Sequence, residues 1–117
     1  MISGIGTDIV EVSRIAKAIE RWEDHFLKHV FTQEEIDYCQ GHKFPGPHFA
    51  GRFAAKEAVI KALPDIANLL WTDIRITNDE QGKPHCTVVK KNLKQVIHIS
   101  ISHTKSHAIA FAVIAAQ

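Results

Sequence analysis

The stretch from Arg52 to Leu63, Arg-Phe-Ala-Ala-Lys-Glu-Ala-Val-Ile-Lys-Ala-Leu, limits the folds open to this chain more than any other part of it. Its alanines and its Leu, Lys, Glu and Arg are strong helix formers. Pro47 and Gly51 lie at or before its start and Pro64 stops it, so the pattern predicts a helix. At about 100° per residue, Phe49, Phe53, Ile60 and Leu63 share one stripe, and Gly51, Ala55, Ala58 and Ala62 form a narrow face opposite. Large groups can pack on the first side, and another backbone can come close on the second. A helix apolar on two sides is usually buried, and its charges then need partners. Lys56 falls inside the Phe stripe, with Glu57 on its edge one turn before Lys61. As an ordinary surface pair, Glu57 and Lys61 would contribute about 0.2–0.5 kcal/mol, which leaves Arg52 and Lys56 unexplained. A phosphate-bearing ligand accounts for all four, with cations for its oxygens and a carboxylate to hold a divalent metal between them.

A second carboxylate comes from the start of the chain. Met1 to Val12 alternates as a strand, with Ile2, Gly4, Gly6, Asp8 and Val10 on one face. Asp8 thus shares its side with two glycines, where a ligand or another backbone can approach. A single Asp at a strand end more often caps the next turn; its pairing with Glu57 is what makes it a candidate metal ligand.

The remaining elements follow from local patterns. Ser13 is placed to cap a helix running to about Glu23, with Ile15, Ile19, Trp22 and then Phe26 toward the core. Arg14, Lys17 and Arg21 form a basic stripe with Glu20 and Glu23 off it, which reads either as solvated surface or as a docking face for an acidic partner helix. Thr32-Gln33-Glu34-Glu35 is a capping box that starts a helix ending near Gly41. His42 to His48, punctuated by two prolines and a glycine, reads as an irregular loop in which Lys43 with His42 is a candidate phosphate clamp. After Pro64 the pattern predicts a loop, a strand Thr72–Thr77, a turn Asn78–Pro84, a short strand Cys86–Val89 and a helical turn Lys90–Gln95. A hairpin ends the chain, with strands Val96–Ser102 and His107–Ala115 about a turn that carries His103. Ser102-His103 has no Asp or Glu nearby to orient it, which is a weak basis for a nucleophilic triad.

Global properties exclude some functions. A net charge of +1 gives no argument for nucleic acid. No run approaches the roughly 20 apolar residues of a membrane span, and the start lacks the pattern of a signal peptide. Cys39 and Cys86 form no C-x-x-C motif and read as reduced thiols. The expectation is one domain over residues 1–117, soluble and cytoplasmic, with neither nucleic acid nor membrane as partner.

The motifs in their order resemble one family: Gly6-x-Asp8-Ile9-Val10-Glu11-x-x-Arg14-Ile15, Phe31-Thr32-x-x-Glu35, Gly51-Arg52-Phe53-Ala54-Ala55-Lys56-Glu57-Ala58-x-x-Lys61-Ala62, Gly82-Lys83-Pro84 and Ser100-x-Ser102-His103-Thr104. Over nearly its whole length the chain resembles the bacterial holo-acyl-carrier-protein synthases, the short 4′-phosphopantetheinyl transferases. The resemblance implies an α+β fold, an antiparallel sheet packed on a long central helix, assembling as a trimer with each site between two protomers. It implies transfer of 4′-phosphopantetheine from coenzyme A to a serine of an acyl carrier protein, in support of fatty acid biosynthesis. By the same resemblance Asp8 and Glu57 hold Mg²⁺, and Lys61 faces the phosphate under attack, so that Asp8, Glu57 and Lys61 are the catalytic set. The base is either Glu57 or a water on the metal. Lys43, Arg52, Lys56, Lys61, His103 and Thr104 are the expected coenzyme A ligands, with Gly82 and Pro84 along the adenine, and Arg14, Lys17 and Arg21 meet the carrier. Two other classes remain open from the residues alone: a non-catalytic oligomeric module that docks an acidic partner, and a small metal-dependent phosphohydrolase.

Overall fold

In the computed structural model, which describes residues 1–89 and 93–116, the elements follow in the order β1 (Ile2–Glu11), α1 (Val12–Val30), α2 (Gln33–Gln40), α3 (Pro45–Ala62), a 3-10 turn (Trp71–Asp73), β2 (Ile74–Asn78), β3 (Pro84–Val88), β4 (Gln95–His103) and β5 (His107–Ala116). β1, β5 and β4 form an antiparallel sheet in that spatial order, and β2 pairs with β3 as a separate antiparallel hairpin.

Small residues determine how closely α3 meets the sheet. Gly4 and Gly6 of β1 face the narrow side of α3, and a Cβ placed on them would lie 2.1 Å from the Ala62 carbonyl oxygen and 2.0 Å from that of Ala58. At Gly51 a Cβ would instead lie 2.9 Å from the Ile101 side-chain methyl Cγ2 of β4. Ala108, Ala110 and Ala112 of β5 are buried on the same face. Helix and sheet therefore touch backbone to backbone, as the two-faced pattern of α3 and the glycines of β1 require. The alternation predicted for β1 holds, with Gly4, Gly6, Asp8 and Val10 facing inward and Ile5, Thr7 and Ile9 outward. Ile97, Ile99 and Ile101 of β4 face the core as expected.

Several boundaries differ from expectation. α3 begins at Pro45, so the predicted irregular loop His42–His48 is largely its first turn. Proline is tolerated there because the N–H it lacks has no intrahelical partner at a helix start. Ser13 does not cap α1; the cap position is Glu11, with no side-chain bond. α1 breaks at Glu23, where φ is 49°, and resumes to bury Leu27 and Val30. Trp22, expected in the core, is 52% exposed, its ring lying 4.9 Å from the Arg21 guanidinium carbon. The helical turn expected at Lys90–Gln95 falls partly on Lys90–Asn92, outside the described residues, and Gln95 already belongs to β4.

The capping box is formed as predicted. Thr32 N–H donates to Glu35 Oε1 at 2.7 Å and Glu35 N–H donates to Thr32 Oγ1 at 3.2 Å, with Gly41 closing α2. The turn Asn78–Pro84 also forms, with Asp79 Oδ1 accepting from the N–H groups of Gln81 and Lys83 and Gly82 at φ +82°. That left-handed φ suits glycine.

Candidate active site

β1 supplies Asp8 and α3 supplies Glu57 and Lys61, on the surfaces where strand and helix meet. Lys61 donates to the Thr7 carbonyl at 3.0 Å and reaches Asp8 Oδ1 at 3.4 Å, so the cation ties helix to strand. The Asp8 side chain is 18% exposed and that of Lys61 is 54% exposed, which leaves the pair reachable from solvent. Glu57 is half-buried. Burial pushes its pKa up, the Asp8 charge pushes in the same direction, and Lys61 and Arg14 pull it back. The two carboxylates thus feel each other's charge, and Lys61 and Arg14 partly offset it. Like charges held together in this way favour a bound cation.

Among the described residues no group of three or more His, Cys, Asp and Glu side chains converges as a metal cage. Two carboxylates without a cage suit Mg²⁺, which keeps several waters and completes its octahedron with substrate phosphates. Asp8 and Glu57 are the residues here that could hold such an ion.

Lys56 lies elsewhere, and its expected role as a coenzyme A ligand is corrected. Its ammonium is fully buried and donates to Val30 O at 2.8 Å, Glu35 Oε1 at 2.7 Å and Trp71 O at 3.2 Å. All three N–H groups are used, and none is left for a phosphate. Burial pulls the Lys56 pKa down, and the Glu35 carboxylate opposes that shift. Glu35 in turn accepts the Ile76 N–H at 2.8 Å, so this pair fastens α1, α2, α3 and β2 together.

The other expected ligands line two cavities. One, of about 830 Å³, is bounded by His42, Lys43, Phe44, Pro47, His48, His103, Thr104 and Lys105, and so joins Lys43 at the entry to α3 with His103 and Thr104 at the hairpin tip. The other, of about 300 Å³, includes Tyr38, Arg52, Asn78, Asp79 and Gly82. Arg52 is buried, donates to Asn78 Oδ1 and lies over the Tyr38 ring at 3.9 Å, while its Nε–H has no partner among the described residues. Pro84 opens β3 opposite Asn78, beside this cavity rather than in its lining. Tyr38 connects the two, since its ring also meets those of His42 and His48. Neither Tyr38 nor His48 was singled out from sequence. The signal was the pair of histidines flanking Pro45 and Pro47, and it becomes legible only once Pro45 is known to begin a helix. Arg14, Lys17 and Arg21 are exposed on α1, the expected basic face.

A family model described as the 4′-phosphopantetheinyl transferase superfamily matches residues 4–112. The chain belongs to that family. It is 48% identical to the holo-[acyl-carrier-protein] synthase of Thermodesulfovibrio yellowstonii, over 97% of this chain and 99% of the relative. It is 45% identical to the synthase of the same name from Clostridium tetani, over 97% and 96%. Among solved structures it superimposes on the Bacillus anthracis holo-(acyl-carrier-protein) synthase in complex with coenzyme A (3′,5′-ADP), with a TM-score of 0.87 and 36% identity over 100% of this chain and 99% of that one. The Helicobacter pylori synthase in complex with coenzyme A gives 0.83 and 32% over 95% and 99%. The α+β transferase fold, antiparallel sheet against helices, is that of the family.

Proposed function

We propose that this phosphopantetheinyl transferase moves the 4′-phosphopantetheine group of coenzyme A onto a serine hydroxyl of an apo acyl carrier protein. The serine oxygen forms a bond to the β-phosphorus, the bond from that phosphorus to the bridging oxygen breaks, and adenosine 3′,5′-bisphosphate leaves with the bridging oxygen. The observation that carries the reading is the Lys61 contact to Asp8 at 3.4 Å, with the Asp8 charge felt at Glu57, in a chain whose relatives named holo-[acyl-carrier-protein] synthase match it almost end to end.

Phosphoryl transfer of this kind needs positioning and charge stabilisation more than covalent help. Lys61 is exposed enough to place its ammonium on the phosphate under attack, and its bonds to Thr7 and Asp8 orient it. Lys43, His103 and Thr104, lining one cavity, hold the phosphates at the nucleotide end. Arg52, in the neighbouring cavity, also serves a phosphate, and Gly82 in that cavity with Pro84 beside it lies along the adenine. Mg²⁺ held by Asp8 and Glu57 supplies Lewis-acid charge to the pyrophosphate when bound. The serine proton is taken either by Glu57 or by a water on the metal. Arg14, Lys17 and Arg21 meet an acidic helix of the carrier, and Arg14, close enough to act on Glu57, joins that face to the site.

A homotrimer completes the reading. The outer face of the sheet exposes Ile5 (70%), Ile9 (64%) and Phe111 (52%), with Val113 opposite Ile5 and Ile109 opposite Ile9 in register. A contiguous apolar sheet face of this kind supports burial against further copies of the chain. The reaction serves fatty acid biosynthesis in the cytoplasm, and no helix among the described residues is long and apolar enough to cross a membrane.

The test is to incubate the protein with coenzyme A, Mg²⁺ and an apo acyl carrier, and to weigh the carrier by mass spectrometry. A gain of one phosphopantetheine, abolished by a chelator, is expected. An unchanged carrier overturns the reading, and hydrolysed coenzyme A beside it points to the phosphohydrolase instead.

A further inference from the structure

The larger cavity carries a group of imidazoles that the transfer reaction does not assign. The His42 and His48 rings stack with centroids 3.6 Å apart and an interplanar angle of 23°, and His103 meets His48 edge-on at 5.2 Å. All three line the cavity with Lys43 and Lys105, and among the described residues no carboxylate is in that lining. The first turn of α3, which has no side-chain cap, holds Pro47 and His48 at the same wall, with the positive end of the helix dipole directed there.

The orientation of His42 is set. Its Nδ1 lies 2.8 Å from the Tyr38 carbonyl, which can only accept, so Nδ1 carries the proton. In the neutral ring Nε2 is then a bare acceptor, and it becomes a donor to an anion only when the ring gains a second proton. His48 is half-buried against Tyr38, His42, His103 and Arg52, and burial followed by the neighbouring His42, His103 and Arg52 pushes its pKa from the usual 6.5 down to about 4. Two stacked rings this close cannot both be cationic without strong repulsion. The stacked pair thus sits beside Lys43 and Lys105 with His48 held neutral by its surroundings.

Resting on the coenzyme A reading, we propose that His42 and His48 act as one proton-accepting phosphate ligand, so that coenzyme A enters this cavity together with a proton and binds more tightly as the pH falls toward 6. His48 is the member whose removal uncouples binding from the proton. The phosphate itself titrates near pH 6, so the informative quantity is the difference between the wild type and a non-titrating variant.

The experiment is calorimetric titration of the full chain with coenzyme A, without metal, in pairs of buffers of different ionisation enthalpy between pH 6 and pH 8, for the wild type, His48→Phe and His48→Gln. The wild type is expected to take up on the order of one proton more than either variant near pH 6.5, and its affinity advantage is expected to shrink about tenfold from pH 6 to pH 8. His48→Phe keeps the ring stack and His48→Gln keeps a hydrogen-bonding group, so folding of either one suffices for the comparison. Equal proton uptake and equal pH slopes, with coenzyme A still bound by all three, overturn this proposal and leave the transferase reading standing. Absence of coenzyme A binding at every pH overturns both.

Discussion

Replacing Lys56 by Met keeps the length and bulk of a side chain that is fully buried and removes its charge. The change strips the Val30 and Trp71 carbonyls of their donor and leaves the Glu35 carboxylate in the interior with only the Thr32 and Ile76 N–H groups as hydrogen-bond partners. Breaking a buried ion pair from one side costs about 3–5 kcal/mol because the surviving charge is uncompensated. A domain of ordinary stability, about 5–15 kcal/mol, would lose between about a fifth and all of it. Urea unfolding followed by circular dichroism, at one fixed protein concentration, should show the midpoint falling by more than about 1 M. The double variant Lys56→Met/Glu35→Gln should cost less than the sum of the two single changes, since neither ion then remains to be left alone. At a temperature where Lys56→Met is still folded, its KM for coenzyme A should match that of the wild type. A variant within about 1 kcal/mol of wild-type stability but with a raised coenzyme A KM would refute this reasoning and restore Lys56 as a phosphate ligand.

Three further outcomes follow from the geometry. Gly6→Ala places a methyl 2.0 Å from the Ala58 carbonyl oxygen, and because both partners are backbone the strain should cost at least about 1–3 kcal/mol, read as a lowered Tm. Arg21→Glu, on the exposed stripe of α1, should lower kcat/KM for the apo carrier about tenfold while leaving the KM for coenzyme A unchanged, and the gap should narrow in high salt. His48, with its folded pKa pushed down to about 4, is a base that the unfolded chain protonates more readily. Its contribution to stability is fully present above the unfolded value, is lost as pH falls from about 6.5 toward about 4, and changes no further below that. His48→Phe should therefore flatten the acid limb of the stability profile measured by urea unfolding.

The parts of the fold legible in the sequence are those set by near neighbours or by strict periodicity. Thr32 and Glu35 satisfy each other within one turn, so their box announced α2. Gly4 and Gly6 alternate on one face of β1 while Gly51, Ala55, Ala58 and Ala62 recur along α3, and the two small surfaces met. The same logic singled out Asp8 on the glycine face of β1, and its charge is felt at Glu57 of α3. Contacts set by distant parts of the chain were not legible. Lys56 resembled its neighbours Arg52 and Lys61 in charge, and only the tertiary arrangement of Val30, Glu35 and Trp71 around it reveals a brace instead of a ligand. Trp22 carried the core periodicity of Ile15 and Ile19, but the backbone break at Glu23 turns the second half of α1 and leaves the indole outside. Pro45 and Gly46 read as loop punctuation because a proline that breaks a helix interior is equally suited to begin one. The histidine stack of the larger cavity was hidden behind that same misplaced boundary.

Divalent-ion binding tests the central claim most directly, and Mn²⁺ serves as a paramagnetic stand-in whose free fraction is read by electron paramagnetic resonance. With coenzyme A present, the wild type should bind a single ion per chain. Asp8→Asn and Glu57→Gln, each losing one anionic oxygen ligand, should weaken that binding by more than about tenfold, a loss of at least roughly 1.4 kcal/mol. Mn²⁺ held as tightly by both variants as by the wild type would contradict the account.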